Sequence, residues 1–213
     1  MVNVLIPSWF FGWHAMAYIV SALIGFLVSF YSYRIYHMTK EQNHLYLYLG
    51  FAALSMAFLI FGVVELYSYL SISQNMMQMF ESFSSFRDFG IWLYYIGSII
   101  AYLLIAFTYV PKKYRFAPLF LPMWWKGFPY FHVGSLFILS FIIFRATGNW
   151  FIKKTINSML VFMSFLLIGF YHIFLFFTPF SEWMFVLAHI SLIAGFLSFL
   201  IMLIRVSKKA GRR

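Results

Sequence analysis

The sequence predicts an all-α polytopic membrane protein, a bundle of seven transmembrane helices with the N-terminus outside and the C-terminus in the cytoplasm. Three observations predict it. Hydrophobic residues make up 64% of the 213-residue chain and charged residues 9%, where a soluble domain carries about 25% charged. Apolar stretches long enough to cross a bilayer core recur along the whole length. Lys and Arg gather at alternate ends of those stretches, as the positive-inside rule requires.

The first span is expected at Phe11–Tyr33 and the second at Tyr46–Leu70. The Ser- and Met-rich stretch between Ser71 and Asp88 reads as a loop or an amphipathic surface helix. The third span, Gly90–Val110, stops at Pro111 and is followed by Lys112, Lys113 and Arg115. Phe128–Phe144, Ile156–Thr178 and Trp183–Ile204 complete the long spans. Residues 1–205 then form the membrane domain and 206–213 a short basic tail. The N-terminal MVNVLIPSWFFGWH has neither a positive n-region nor a cleavage site, so the first span itself is expected to direct insertion.

Phe116–Trp125 decides between seven spans and six. Ten helical residues cover about 15 Å, half of a bilayer core, and Pro118 and Pro122 interrupt them. Length therefore favours a re-entrant segment. Charge favours a crossing. Seven spans place thirteen basic residues inside against two outside, Arg87 and Lys126, whereas six spans give nine against six. Arg115 and Lys126 can snorkel to lengthen a short span.

Small residues repeat every four positions in the first span, at Ala17, Ser21, Gly25 and Ser29, and again at Ala188, Ser191, Gly195 and Ser198. Such stripes let helices approach closely in lipid. Trp9, Trp13, Trp124, Trp125, Trp150 and Trp183 fall near span ends, in the interfacial belt. The net charge of +10 sits at span ends. It points to anionic lipid headgroups and not to nucleic acid.

The chain has no cysteine, which excludes disulfides, thiolate metal sites and iron–sulfur ligation. Phosphate-loop, dinucleotide, zinc-protease and serine-hydrolase motifs are absent, so no self-contained catalytic motif is found and no catalytic residue is assigned. His37 and His44 read as solvated loop residues. The other histidines, His14, His132, His172 and His189, fall in the outer third of the bilayer in the seven-span topology, and so does Glu65, the one intramembrane acid. Intramembrane ionisable groups are costly and face bundle interiors. His14 shares a face with Ala17 and Ser21, His172 lies one turn from Gly169, and Glu65 lies one turn from Gly62. His189 points away from the small stripe of its own helix, toward another neighbour or headgroups. Neutral imidazole ligates haem iron, copper or zinc. The four histidines are thus candidate ligands for haem b or a metal ion in an electron-transfer subunit, with Glu65 a further metal or proton partner. A proton relay or polar ligand pocket would use the same residues without a metal. Interfacial histidines also bond simply to headgroups, water or backbone.

The stretch His14–Gly62, with Tyr33-Arg34-Ile35-Tyr36, the loop around Lys40 and the aromatic run from Leu47, resembles the opening of prokaryotic, archaeal-type seven-span sensor-like membrane modules. The resemblance covers about a quarter of the chain. It implies seven helices and an outside N-terminus, and a sensor that signals through a cytoplasmic partner. In that family the spans feed a signalling domain, whereas this sequence stops at Arg213. A third reading is a structural accessory subunit of a larger membrane complex. All three place the protein in the cell membrane, multi-pass.

Overall fold

The computed structural model describes residues 10–73, 80–110 and 128–210. These residues are all-helical, with no strand among them. Six helices follow in order: α1 Phe11–Thr39, α2 Gln42–Ser73, α3 Phe80–Phe107, α4 Phe128–Lys153, α5 Ile156–Phe176 and α6 Glu182–Ala210. Each is long and apolar enough to cross a membrane, so the chain has the architecture of a multi-pass integral membrane protein. The short span expected at Phe116–Trp125 lies outside the described residues.

The helices lie where the sequence places the long spans, but four run well beyond the expected ends. α4 continues past Phe144 to Lys153 and α6 past Ile204 to Ala210. α1 runs on past Tyr33 to Thr39, because nothing before Lys40 breaks a helix. α3 begins at Phe80, so the second half of the expected loop is helix continuous with the span. Phe80–Phe89 contains neither Gly nor Pro to interrupt it.

The turns at one end of the bundle are tight. Lys40 closes α1 in the left-handed region, at φ 56°, and its N–H donates to the Tyr36 carbonyl at 2.7 Å. Lys154 repeats the device after α4, at φ 48°, donating to Trp150 at 2.8 Å. Thr155 then caps α5 through a reciprocal capping box with Ser158.

The helices form a closed ring in which α1 packs on α2, α2 on α3, α3 on α4, α4 on α5, α5 on α6 and α6 back on α1. Directions follow from which residues meet. Gly25 of α1 lies against Ser55 of α2, and Gly12 against Tyr69, so that pair is antiparallel. Gly50 of α2 meets Ala101 and Ile105 of α3, and Gly90 meets Val64, again antiparallel. The α3–α4 pair differs. Tyr95 stacks on Phe131 at 4.3 Å near the starts of both helices. The Arg145 guanidinium donates to the Tyr109 carbonyl at 3.1 Å near the ends of both. α3 and α4 are therefore parallel. By the same argument α6 and α1 are parallel, since His189 meets Tyr18 and Phe196 meets Gly25. The ring thus consists of two three-helix units, α1–α3 and α4–α6, each running in the same order of directions. Each has its first turn closed by a left-handed lysine.

The small-residue stripes are packing devices. A side chain at Gly25 would meet Ser55 and Phe196 on two neighbouring helices, and one at Gly195 would meet the Ser164 carbonyl and Ile168. Ser29 donates to the Tyr48 carbonyl across the α1–α2 contact at 3.1 Å.

Candidate functional site

The starts of α1, α3, α4 and α6 and the ends of α2 and α5 meet at one end of the ring. All five ionisable residues singled out from the sequence lie there and are buried. His14 and Glu65 are 3% exposed, His189 1%, and His132 and His172 not at all. The four imidazoles do not form one cluster. His14 of α1 and His189 of α6 are neighbours, with ring centroids 5.5 Å apart and planes perpendicular. His132 of α4 and His172 of α5 form a second pair at 5.2 Å. Among the described residues no group of three or more His, Asp or Glu side chains is placed to hold a metal ion.

Tyrosines connect the pairs, and sequence reasoning did not single them out. The Tyr171 hydroxyl, at the centre, is hydrogen-bonded to Tyr18 at 2.8 Å and to Tyr94 at 2.7 Å. His172, the next residue on α5, is hydrogen-bonded through Nε2 to the Tyr102 hydroxyl at 2.9 Å. Its Nδ1 faces His132 Nδ1 at 2.9 Å. Both nitrogens of His172 are thereby engaged. A signal was present in the sequence. Tyr18 lies one turn after His14, Tyr171 adjoins His172, and Tyr94 and Tyr102 lie two turns apart on the face of α3 that Ser98 and Ala101 also occupy. Among thirty phenylalanines and fifteen tyrosines, that spacing does not stand out.

His189 faces α1. The small stripe of α6 is turned to α5 at Gly195, which leaves the face carrying Phe185 and His189 for α1. The ring lies against His14, Tyr18 and Phe185. Its Nδ1 is 2.8 Å from the Phe185 carbonyl one turn back, so Nδ1 carries the proton and Nε2 the lone pair. That buried Nε2 has no hydrogen-bond partner.

Glu65 ends the polar layer on α2. Its carboxylate lies 3.6 Å from the Arg87 guanidinium, whose side chain is about half exposed, 49% against 4% for Glu65. The pair flanks a cavity of about 130 Å³ that His14, Tyr18, Tyr94 and His132 also line. A drug- or cofactor-sized ligand needs about 300 Å³ or more. This cavity suits a small ion, a few waters or a small solute. The cavity is smaller than a haem, and within each pair, His14 with His189 and His132 with His172, the rings are in contact with no room for a haem plane between them.

The remaining half of the ring interior is dominated by aromatic and aliphatic side chains, with buried serines such as Ser32, Ser55 and Ser164 among them. Phe51, Phe58, Phe165, Phe196 and Phe199, with Leu54, Ile105, Leu139 and Ile142, are buried with at most 1% exposure. Phe51 packs on both Phe196 and Phe199. The polar layer thus ends on an aromatic plug. At the far end lie Arg34, Lys40, Arg145, Lys153, Lys154, Arg205 and Lys208, whereas the histidine end carries Arg87. His37 and His44 are also at the far end, where His44 lies 3.6 Å from Glu41.

Fold and site define a class, a polytopic helical membrane protein with a one-sided polar interior. Comparison with protein-family models, curated proteins and solved structures finds no match.

Proposed function

We propose that the chain is a seven-span integral protein of the cell membrane that acts as a sensor or receptor-like module. It receives a small polar ligand from the outer side. The observation that carries this reading is the polar cavity backed by the aromatic plug. A channel or pump needs a polar route to both faces. A dead-end cavity binds without conducting, and the hydrogen bonds that tie α1, α3, α4 and α5 together around its lining give binding a means of altering helix packing.

The seven-span topology rests on the parallel α3 and α4. α3 leaves the bundle at the basic end and α4 starts at the histidine end, so residues 111–127 join opposite ends. The basic end faces the cytoplasm by the positive-inside rule. There the lysines and arginines meet anionic headgroups, and a separate cytoplasmic partner would take the output.

The absence of native cysteine makes the test direct. Single cysteines at Trp13 and Lys208 report topology, and one at Ile91, in the cavity lining, reports access. In intact cells an impermeant maleimide should label Trp13→Cys and Ile91→Cys but not Lys208→Cys. Labelling of both ends from one side refutes the topology. Labelling of Leu139→Cys from both sides refutes the dead end.

One observation favours a second reading, a metal-binding redox subunit. His189 has the second-shell geometry of a ligand, with Nδ1–H held by a carbonyl and Nε2 left as a buried acceptor. His14 adjoins it, and Glu65 lines the same cavity as His14. A copper or zinc ion suits such nitrogen and oxygen donors. Elemental analysis of purified protein should then show metal that His189→Gln loses. Protein isolated without metal, and unable to take it up, rejects this reading.

A further inference from the structure

We propose that the cavity at the histidine end takes a small zwitterion of the α-amino acid type, with its ammonium on Glu65 and its carboxylate on Arg87. This rests on the ligand-binding reading above and names the ligand class.

The charges of the lining carry the argument. Glu65 of α2 and Arg87 of α3 both line the cavity, and with histidine counted neutral they are its two formal charges. The two lie at different depths. The Glu65 side chain is 4% exposed and that of Arg87 49%, so the carboxylate is inside and the guanidinium at the mouth. Among the described residues Arg87 is the group paired with Glu65, and their 3.6 Å separation is longer than a direct hydrogen bond. The hydroxyls of Tyr18 and Tyr94, which share the lining, are turned to Tyr171 instead. An ionised carboxylate accepts several hydrogen bonds, and leaving that capacity unused in a buried place is costly. The pair is thus held by charge, with its hydrogen-bonding capacity in reserve.

Each class of small solute meets this pair differently. An anion on Arg87 would bring its charge beside Glu65, and a cation on Glu65 would bring its charge beside Arg87. Like charges that close in a poorly solvated site repel strongly. A neutral solute leaves both charges unmatched. A zwitterion brings the opposite charge to each. Its ammonium supplies three N–H donors to the inner carboxylate, and its carboxylate takes the forked N–H groups of the guanidinium. Arg87, half exposed, has room to swing outward and admit it. Size sets the upper limit. A cavity of about 130 Å³ holds about four waters at about 30 Å³ each, which suits glycine or alanine and not leucine.

Saturation-transfer NMR on the protein in nanodiscs tests the class, because alanine, leucine, acetate and methylammonium each carry a methyl signal. At equal ionic strength alanine should show saturable transfer. Acetate and methylammonium should need at least about a hundredfold more solute, the scale of a like-charge clash, and leucine should show none. The charge variants should then exchange preferences. Glu65→Gln should lose alanine and gain acetate, and Arg87→Gln should lose alanine and gain methylammonium. An ion pair that only held α2 to α3 would give no such exchange. Acetate or methylammonium binding as well as alanine overturns the proposal, as does alanine binding that Glu65→Gln leaves unchanged; in both cases the cavity is still a ligand site. Absence of saturable transfer to alanine also overturns it, and labelling of Ile91→Cys then decides separately whether the cavity is open to the outside.

Discussion

The two halves of the helix ring solve the problem of a lipid-embedded interior differently. In the basic-end half, contact is made by shape, with glycines and serines of one helix receiving aromatic rings from the next. In the histidine-end half the same helices carry Tyr, His and Glu, and most of these are paired with one another because hydrocarbon offers no partner. Shape tolerates few substitutions of volume. A polar network tolerates few substitutions of hydrogen-bond sense. The first half holds the bundle shut, and the second is where a ligand can act.

The sharpest way to break the comparison is Gly25→Leu. The new side chain would meet Ser55 and Phe196 on two helices with no open direction. The expected loss is about 3 kcal/mol, the upper range for overpacking, read by reversible SDS unfolding. Phe196→Ala comes next. In lipid the water-transfer part of a core deletion falls away, and the void remains, so about 2 kcal/mol is expected. This variant should also make Leu139→Cys reactive from the basic side, since the plug is thinned. Tyr171→Phe removes the hydroxyl that joins Tyr18 and Tyr94. At the modest worth of hydrogen bonds in membranes it should cost about 1 kcal/mol, yet change the labelling rate of Ile91→Cys more than Phe196→Ala does. If it leaves that rate unchanged, the tyrosines are only packing. Ser29→Ala loses one bond to Tyr48 and should cost about 0.6 kcal/mol with no effect on the cavity.

Much of this architecture was legible in the residues. Hydropathy located every described helix, because a membrane-crossing segment must be apolar along its length. The stripes at Gly25 and Gly195 marked the close contacts, because only small residues permit them. Glu65 and the histidines marked the end of the ring with the polar interior, because ionisable groups inside a membrane bundle face its interior. Tyr18, Tyr94, Tyr102 and Tyr171 were not legible as site residues. A buried tyrosine and an interfacial one look alike until a neighbour on another helix is known. For His189 the sequence left two alternatives, another neighbour or headgroups, and the structure places it against α1. A helix in a ring has two neighbours, and the small stripe of α6 reveals only the one that comes closest.

The sequence by itself determined the number and depth of the described helices, the polarity of charge between the two ends and the level at which the ionisable groups lie. These follow from transfer free energies and from a helical rise of about 1.5 Å per residue. Only the tertiary structure decided that α3 and α4 run parallel, that the imidazoles divide into two pairs, and that tyrosines join them. Direction and partnership are relations between helices, fixed by which side chains meet, and no single helix encodes them.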